Sequence, residues 1–275
     1  MSSLSIHTNV ASLNAHNNLV NTSDMLQQSM ERLSSGYRIN SAADDAAGYV
    51  ISEKLGAQVS GLQQAQQNAQ DATSLVQTAD GAMSEVQTML QRVRDLAVEY
   101  NNGTLDSADQ AAITLEVGQL CAEISQIASQ TQFNGIALLS GGATITFQIG
   151  ANDGETVAVS ALNMFGSGSS FDIDPAIFDF SGATVTLASI DSAIDNVSSA
   201  AATFGAIQNR LSDSLTNLQS YQENLSAAQG TIKDTDMASE MANFTSLQVL
   251  QQAGVAMLSQ ANTSQQNLLR LIQGA

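Results

Sequence analysis

A long, uninterrupted stripe of apolar residues runs from residue 62 to residue 100. The apolar side chains recur at alternating steps of three and four residues, at Leu62, Ala65, Ala69, Ala72, Val76, Ala79, Met83, Val86, Leu90, Val93, Ala97 and Tyr100. This spacing is that of a coiled-coil seam on one face of a helix. One helix cannot bury such a seam by itself, so other helices of the same chain or of a second chain must cover it.

Two further helical stripes and one hairpin lie downstream. Apolar residues at helical spacing predict a helix over 106–131 and a long helix over 190–232. Alternating apolar and polar residues on both sides of Asn152-Asp153-Gly154 predict a β-hairpin at about 140–165. Residues 166–188 show no sustained period and are predicted to form a short variable loop. The predicted fold is therefore mainly α, a long coiled-coil-like helical bundle with a small β-hairpin region.

The two ends of the chain carry weaker stripes. They consist of Leu19, Leu26, Met30 and Leu33 near the N-terminus and of Leu247, Leu250, Met257 and Leu268 near the C-terminus. The near-palindromic order of helices predicts that the two ends lie side by side. We therefore expect an N-terminal helix over 1–42, a central helical domain over 43–235 and a C-terminal helix over 236–275.

Charge limits the classes of partner. Eight Lys and Arg against 26 Asp and Glu give the 275-residue chain a net charge of −18. Binding to a phosphate backbone or an anionic lipid surface depends on cationic side chains, so neither nucleic acid nor membrane is an expected partner. Such a charge suits a subunit that stays soluble before assembly, and it suits an acidic soluble protein equally well.

Few features of the sequence indicate a cellular compartment or a chemical activity. It has one cysteine, Cys121, which excludes a disulfide framework within the chain and is expected to be a small buried side chain. The first twenty residues lack the pattern of a cleaved signal peptide, and no stretch of 18 apolar residues predicts a membrane span. From these absences the chain is expected to be cytosolic.

No catalytic or metal-binding constellation is evident. His7 and His16 are too far apart in sequence to chelate a metal on one helix face, and no carboxylates cluster with them. Asp44 and Asp45 are adjacent and point apart on a helix, so capping or solvation is their expected role, with Ser41 or Asp44 as candidate cap of the long helix. We expect a non-enzymatic protein without cofactors.

The terminal helices need additional burial. Each is largely polar, and a pair of such helices buries little apolar surface per residue, so the pair should be marginal in isolation. Neighbouring subunits could supply the burial, with a helical filament as the result if the contact does not close into a ring. A closed oligomer and a hetero-partner remain alternatives at this level.

Several segments resemble bacterial flagellin, the subunit of the flagellar filament. The similar segments are residues 9–15, 31–48, 130–135, 205–211 and 250–262, among them Gln130-Thr131-Gln132-Phe133-Asn134-Gly135. The resemblance implies a homopolymer whose terminal helices form an inner tube and whose central helices surround it. It also implies export through the flagellar type III channel without a cleaved signal peptide, which would make the protein extracellular. The short variable loop resembles the minimal kind of flagellin, without large outer domains.

The resemblance also suggests partners and site residues. It implies a flagellar export chaperone, hook-junction and cap proteins, and contact with Toll-like receptor 5 at Arg92, Leu96 and Glu116. The outward side of the long helix, at Arg92 and Leu96, is where this receptor is expected to bind. Two other functions remain open: a hook-filament junction protein and a secreted monomeric adhesin or immune ligand. Cys121 departs from the family pattern, since flagellins usually lack cysteine.

Overall fold

Five helices and two short hairpins make up the described chain. The computed structural model describes residues 9–141, 144–164, 180 and 186–273, and side chains as far as residue 267. The helices are α1 (Val10–Ser35), α2 (Ala46–Tyr100), α3 (Ser107–Gln130), α4 (Leu187–Lys233) and α5 (Met237–Gln273). The strands are β1 (Gln132–Phe133), β2 (Ile136–Ala137), β3 (Thr144–Gln148) and β4 (Thr156–Ser160). The mainly α fold is confirmed, whereas most of the predicted variable loop lies outside the described residues.

The chain forms two compact units. A terminal unit consists of residues 1–57 together with 225–275, and a central unit consists of residues 58–224. Their boundaries lie inside α2 and α4, further from the chain ends than the predicted domain limits at 42 and 236.

One continuous core fills the central unit. The apolar seam of α2 packs with residues of α3, α4 and the β3–β4 hairpin, including Val117, Val157 and Phe204. Other elements of the same chain therefore cover the seam. A second set of apolar residues on α2 follows the seam at seven-residue intervals, with Leu75 and Leu96 buried. The buried stripe of α2 is thus wider than a two-helix seam, because α2 packs against more than one element.

The β3–β4 hairpin covers one part of this core. Its strands pair antiparallel with Thr144 opposite Ser160 and Gln148 opposite Thr156. Alternate residues of β4 are buried, as the alternation in sequence predicts. On α2, the amide of Asn68 donates to the carbonyl of Gln148 at 2.9 Å, which fixes the hairpin against the long helix.

Cys121 belongs to the same core. Its side chain is buried on α3, as the sequence predicts, and burial raises the pKa of the thiol to about 11. The thiolate is the reactive form of cysteine, so the folded protein keeps this thiol inert at neutral pH. Because the folded pKa lies above the unfolded value of about 9, the thiol ionises first in the unfolded chain, so the protein loses stability as pH rises from about 9 to about 11.

Local capping sets where the helices begin. Asp106 accepts hydrogen bonds from the backbone N–H groups of Ala108 and Asp109 at the start of α3. Asp236 has the same role at the start of α5, as the sequence predicts.

The start of α2 differs from the prediction. Asp45 accepts from the N–H groups of Ala47 and Gly48, so Asp45 caps the helix, and neither Ser41 nor Asp44 does. Asp44 instead accepts from the backbone N–H of Ser41 in the preceding loop, and the hydrogen bonds from Ser41 lower the pKa of its carboxyl group. Adjacent carboxylates on this loop therefore stabilise different turns.

None of the described helices is both long enough and apolar enough to cross a membrane. Among the described residues, no three His, Cys, Asp or Glu side chains come together as possible metal ligands.

The core position of the seam leads to a stability prediction. Leu90 is 0% exposed, so Leu90→Ala should lower the free energy of unfolding by roughly 2 to 5 kcal/mol through lost burial and a residual cavity. Val98 is on the same helix and exposed, so Val98→Ala should change the free energy of unfolding by less than about 0.5 kcal/mol. Urea unfolding followed by far-UV circular dichroism measures both. Equal effects would show that the seam is not the core.

Candidate subunit interface

The two ends of the chain form one antiparallel helix pair. At one end of the pair, the side-chain amide of Asn9 donates to the carbonyl of Ala261 at 3.1 Å. At the other end, the N–H of Thr235 donates to the carbonyl of Gly36 at 2.9 Å. Gly36 ends α1 in the left-handed region with φ 78°, which glycine adopts without strain. The predicted pairing of the chain ends is confirmed.

The contact between α1 and α5 is a narrow seam that combines small and polar residues with five leucines and one phenylalanine. On α1 the less exposed positions recur at steps of three and four, at Ser12, Ala15, Leu19, Thr22, Leu26, Ser29 and Leu33. On α5 they are Glu240, Phe244, Leu247, Gln251, Gly254, Leu258, Ala261 and Gln265. Small residues let the helices approach closely: a Cβ at Gly254 would come within 3.2 Å of the Leu19 side chain.

This seam buries little apolar surface. Among the described side chains of α1 and α5, no apolar one is fully buried, in contrast to the seam of α2. The side chain of Ser29 is buried, at 3% exposure, and its hydroxyl makes no hydrogen bond to a described group. Apolar burial is the main favourable contribution to folding, and an unsatisfied buried hydroxyl opposes it. The helix pair is therefore weakly stabilised by contacts within one chain.

Large apolar side chains are instead exposed on the terminal unit. They are Val10, Leu13, Val20, Met25, Met30, Tyr37, Val50, Ile51, Met237, Met241, Val249, Leu250, Val255 and Met257. Among the described residues of the larger central unit, the exposed ones are Val98, Leu115, Ile136 and Tyr221. An accumulation of exposed large apolar side chains in one unit indicates an interaction surface.

The exposed apolar residues of α5 lie on both flanks of its contact with α1. Successive residues of a helix are rotated by about 100°, which places Met237, Met241 and Val255 on one flank. The same rotation places Leu250 and Met257 on the other flank. No Asp, Glu, Lys or Arg occurs between residues 241 and 269, so this surface can be desolvated without burying a charge.

The predicted interface residues fall into two groups. Leu19, Leu26, Leu33 and Leu247 are half-buried in the seam of the helix pair, whereas Met30, Leu250 and Met257 are exposed. The side chain of Leu268 lies outside the described residues. The exposed group is the one available to a second subunit in the folded chain.

The residues proposed for receptor contact do not share one environment. Arg92 donates to Oε1 of Glu116 from Nε at 3.0 Å and from Nη2 at 2.7 Å, and both side chains are half exposed. The carboxylate of Glu116 raises the pKa of the Arg92 guanidinium. Leu96 is only 2% exposed, so the prediction that it lies on the outward side of α2 is wrong. Leu96 belongs to the second set of apolar residues on α2, which follows the seam and is buried with it.

The fold and the helix pair define a class of protein: a mainly α chain whose two ends join in one poorly buried helix pair. Two family models match the chain, the bacterial flagellin N-terminal helical region over residues 6–144 and the bacterial flagellin C-terminal helical region over residues 187–272. The chain belongs to the bacterial flagellins, the structural subunits of the flagellar filament used for motility.

Relatives match over nearly the whole chain. It is 44% identical to a flagellin of Halalkalibacterium halodurans over 270 residues, which cover 98% of this chain and 99% of that protein. It is 41% identical to a flagellin of Bacillus subtilis over 98% of this chain and 99% of that one. A flagellar filament 33 kDa core protein of Treponema phagedenis is 39% identical over the same shares of the two chains. These names favour a filament subunit over a hook-filament junction protein.

Two solved structures are similar. The crystal structure of Bacillus cereus flagellin is 32% identical, with a TM-score of 0.47, and the match covers 59% of this chain and 94% of that one. A putative flagellar hook-associated protein from Vibrio parahaemolyticus has a TM-score of 0.57 at 16% identity, over 70% of this chain and 100% of that one. The second likeness shows a shared fold.

Proposed function

We propose that copies of this flagellin polymerise through the terminal unit, with the exposed apolar flanks of the α1–α5 pair as the contact surface. The observation that carries the proposal is the contrast between a weak seam inside the pair and the uncharged apolar surface outside it. Burial of that surface between subunits would supply the free energy that the pair lacks within one chain. Folding of the terminal helices and polymerisation are then coupled.

The two flanks determine the form of the assembly. A closed two-fold dimer uses one self-complementary patch on each copy. Here Leu250 and Met257 lie on one flank of α5 and Met241 and Val255 on the other, so each helix pair can contact two neighbours. Contacts that repeat around an axis without closing give a helical filament. Two relatives of this chain are named flagellar filament core proteins, and these names support a filament as the form of the assembly.

Charge favours an inner position for the terminal helices. The described residues of the central unit include fifteen Asp and Glu against three Arg. Like-charged surfaces repel, so these units should stay solvated on the outside of the filament, as in the inner and outer tubes that the family resemblance implies.

The family resemblance also supports a proposed location for the chain: it is extracellular, reached by type III export without a cleaved signal peptide. A flagellar export chaperone, hook-junction and cap proteins are its further proposed partners.

The polymerisation proposal is tested on the exposed flank. The double substitution Leu250→Ser and Met257→Ser should raise the critical concentration for assembly at least tenfold, because both side chains lose their burial between subunits. The measurement is sedimentation of filaments grown from seeds. Gln252→Ser and Gln260→Ser, at exposed polar positions of α5, form the matched control and should assemble like the original chain. Normal assembly of the Leu250 and Met257 variant, with unchanged helicity, would contradict the proposal.

A second proposed function is recognition by Toll-like receptor 5 at Arg92 and Glu116. Both are exposed and joined by two hydrogen bonds to one carboxylate oxygen, and the family resemblance implies receptor contact at both. Guanidinium and carboxylate groups held in a fixed geometry suit a directional polar contact with a partner. Because Leu96 is buried, its part in recognition would be to hold the helix surface rather than to contact the receptor.

A receptor-reporter assay on purified monomer tests this function. Arg92→Ala and Glu116→Ala should each reduce the response at a given dose at least several-fold, because each removes one member of the exposed pair. Arg94→Ala is the matched control, since Arg94 is also exposed and pairs with Asp191 at 2.6 Å. No response of the original protein at saturating dose would reject the proposal, and an equal loss in the Arg94 variant would show a general effect of charge.

A further inference from the structure

The central unit contains two Asn-Gly pairs, Asn102-Gly103 and Asn134-Gly135. Asparagine is a thermolabile residue type, and a following glycine favours its breakdown. The backbone nitrogen of the glycine can attack the side-chain amide carbon of the asparagine, since glycine has no Cβ to hinder the approach. The resulting five-membered ring closes only when the peptide bond after the asparagine rotates towards the asparagine side chain. The conformation of each pair therefore determines whether it reacts.

Asn134 is held in a conformation that opposes ring closure. Asn134 and Gly135 form the turn of the β1–β2 hairpin, and both have positive φ, at 50° and 79°. Strand pairing fixes the two ends of this turn, with Phe133 opposite Ile136. Rotation of the peptide bond between Asn134 and Gly135 would break the turn and the pairing beside it. The fold therefore protects Asn134.

Asn102 lies in a more open environment. It belongs to the loop between α2 and α3, where Asn102, Gly103 and Thr104 are exposed. Gly103 is outside the left-handed region, and a Cβ built on it would meet no described atom within 4 Å. The carbonyl of Asn102 accepts from the N–H of Leu105 at 3.3 Å, which is a long hydrogen bond. Rotation at Asn102 breaks this exposed bond and no strand pairing.

The side chain of Asn102 is already turned towards the backbone that follows it. The N–H of Thr104 donates to Oδ1 of Asn102 at 3.4 Å. This contact keeps the side-chain amide next to the peptide bond of Gly103, whose nitrogen is the attacking atom. A donor at Oδ1 also stabilises the negative charge that develops on that oxygen during the attack. Position and electrostatics therefore both favour reaction at Asn102.

We propose that Asn102 deamidates spontaneously in the folded chain. The Gly103 nitrogen forms a bond to Cγ of Asn102, the Cγ–Nδ2 bond breaks, and ammonia leaves with the proton of the Gly103 N–H. Water then opens the succinimide ring at one of its two carbonyl carbons. The product has aspartate or isoaspartate at position 102, and water is the only co-reactant. This site does not depend on the proposed polymerisation.

The modification changes one end of the central unit. It adds a carboxylate just beyond the C-terminal end of α2, where the helix dipole disfavours negative charge. Glu99 and Asp106 are close to it in sequence, so the loop becomes more acidic and repels other acidic surfaces more strongly. Isoaspartate also lengthens the main chain between α2 and α3 by one carbon atom.

Incubation of the full-length monomer in mildly alkaline buffer tests the proposal. Peptide mass spectrometry measures the conversion of each amide to an acid. Asn102 should convert at least tenfold faster than Asn134, and its rate should rise with pH, because the Gly103 N–H must lose its proton. Unconverted Asn102, or equal conversion of the two asparagines, would overturn the proposal.

Gly103→Ala is the matched variant. An alanine fits at this position without strain, so helicity should stay unchanged, and its Cβ should slow the conversion of Asn102 at least fivefold. Conversion of Asn134 should be unaffected. A variant in which Asn102 converts at the original rate would contradict attack by the Gly103 nitrogen.

Unfolding the same chain separates the effect of the fold from that of the sequence. In guanidinium chloride neither Asn-Gly pair has a fixed conformation, so Asn102 and Asn134 should convert at rates within roughly threefold of each other. A tenfold difference that persists in the unfolded chain would show that the neighbouring sequence sets the rates, and it would overturn the proposed protection of Asn134 by its turn.

Discussion

The weak seam between α1 and α5 is the constraint on which the rest of the account depends. A helix pair whose seam combines small and polar residues with partly exposed Leu and Phe side chains packs closely but removes little apolar surface from water. Such a seam cannot offset the conformational entropy of ordering two long helices by a wide margin. Burial of the exposed apolar residues on the outside of the pair is therefore the main further source of stabilisation. This burial requires another protein surface.

The central unit, unlike the terminal unit, buries its apolar seam within one chain. Its seam on α2, which combines Ala with Val, Leu and Met, is fully covered by α3, α4 and the hairpin, so the unit has a core of its own. Its surface is acidic, which opposes non-specific association between copies. In the proposed polymerisation, one chain thus combines a central unit with its own core and a terminal unit that gains burial through assembly.

The strength of each sequence signal decided what could be predicted. The unbroken three-four spacing of α2 predicted the long helix and its burial, and the alternation around Asn152 predicted the hairpin, because both patterns are local. The environment of Leu96 could not be found from the seam, since it depends on a second packing partner of α2. Leu250 and Met257 have the spacing of a seam but lie on its flank, because Gln251, Gly254 and Leu258 occupy the contact with α1. The β1–β2 turn was missed as a hairpin, although Asn134-Gly135, both with positive φ, is a typical signal for one.

Hydrogen exchange of backbone amides in the monomer and in the filament tests the central claim most directly. We predict that amides of residues 12–33 and 240–265 exchange quickly in the monomer and become protected by at least a hundredfold in the filament. Amides of residues 72–97 should be protected in both states, because the central core does not need assembly. Equal protection of the terminal helices in monomer and filament would contradict the account.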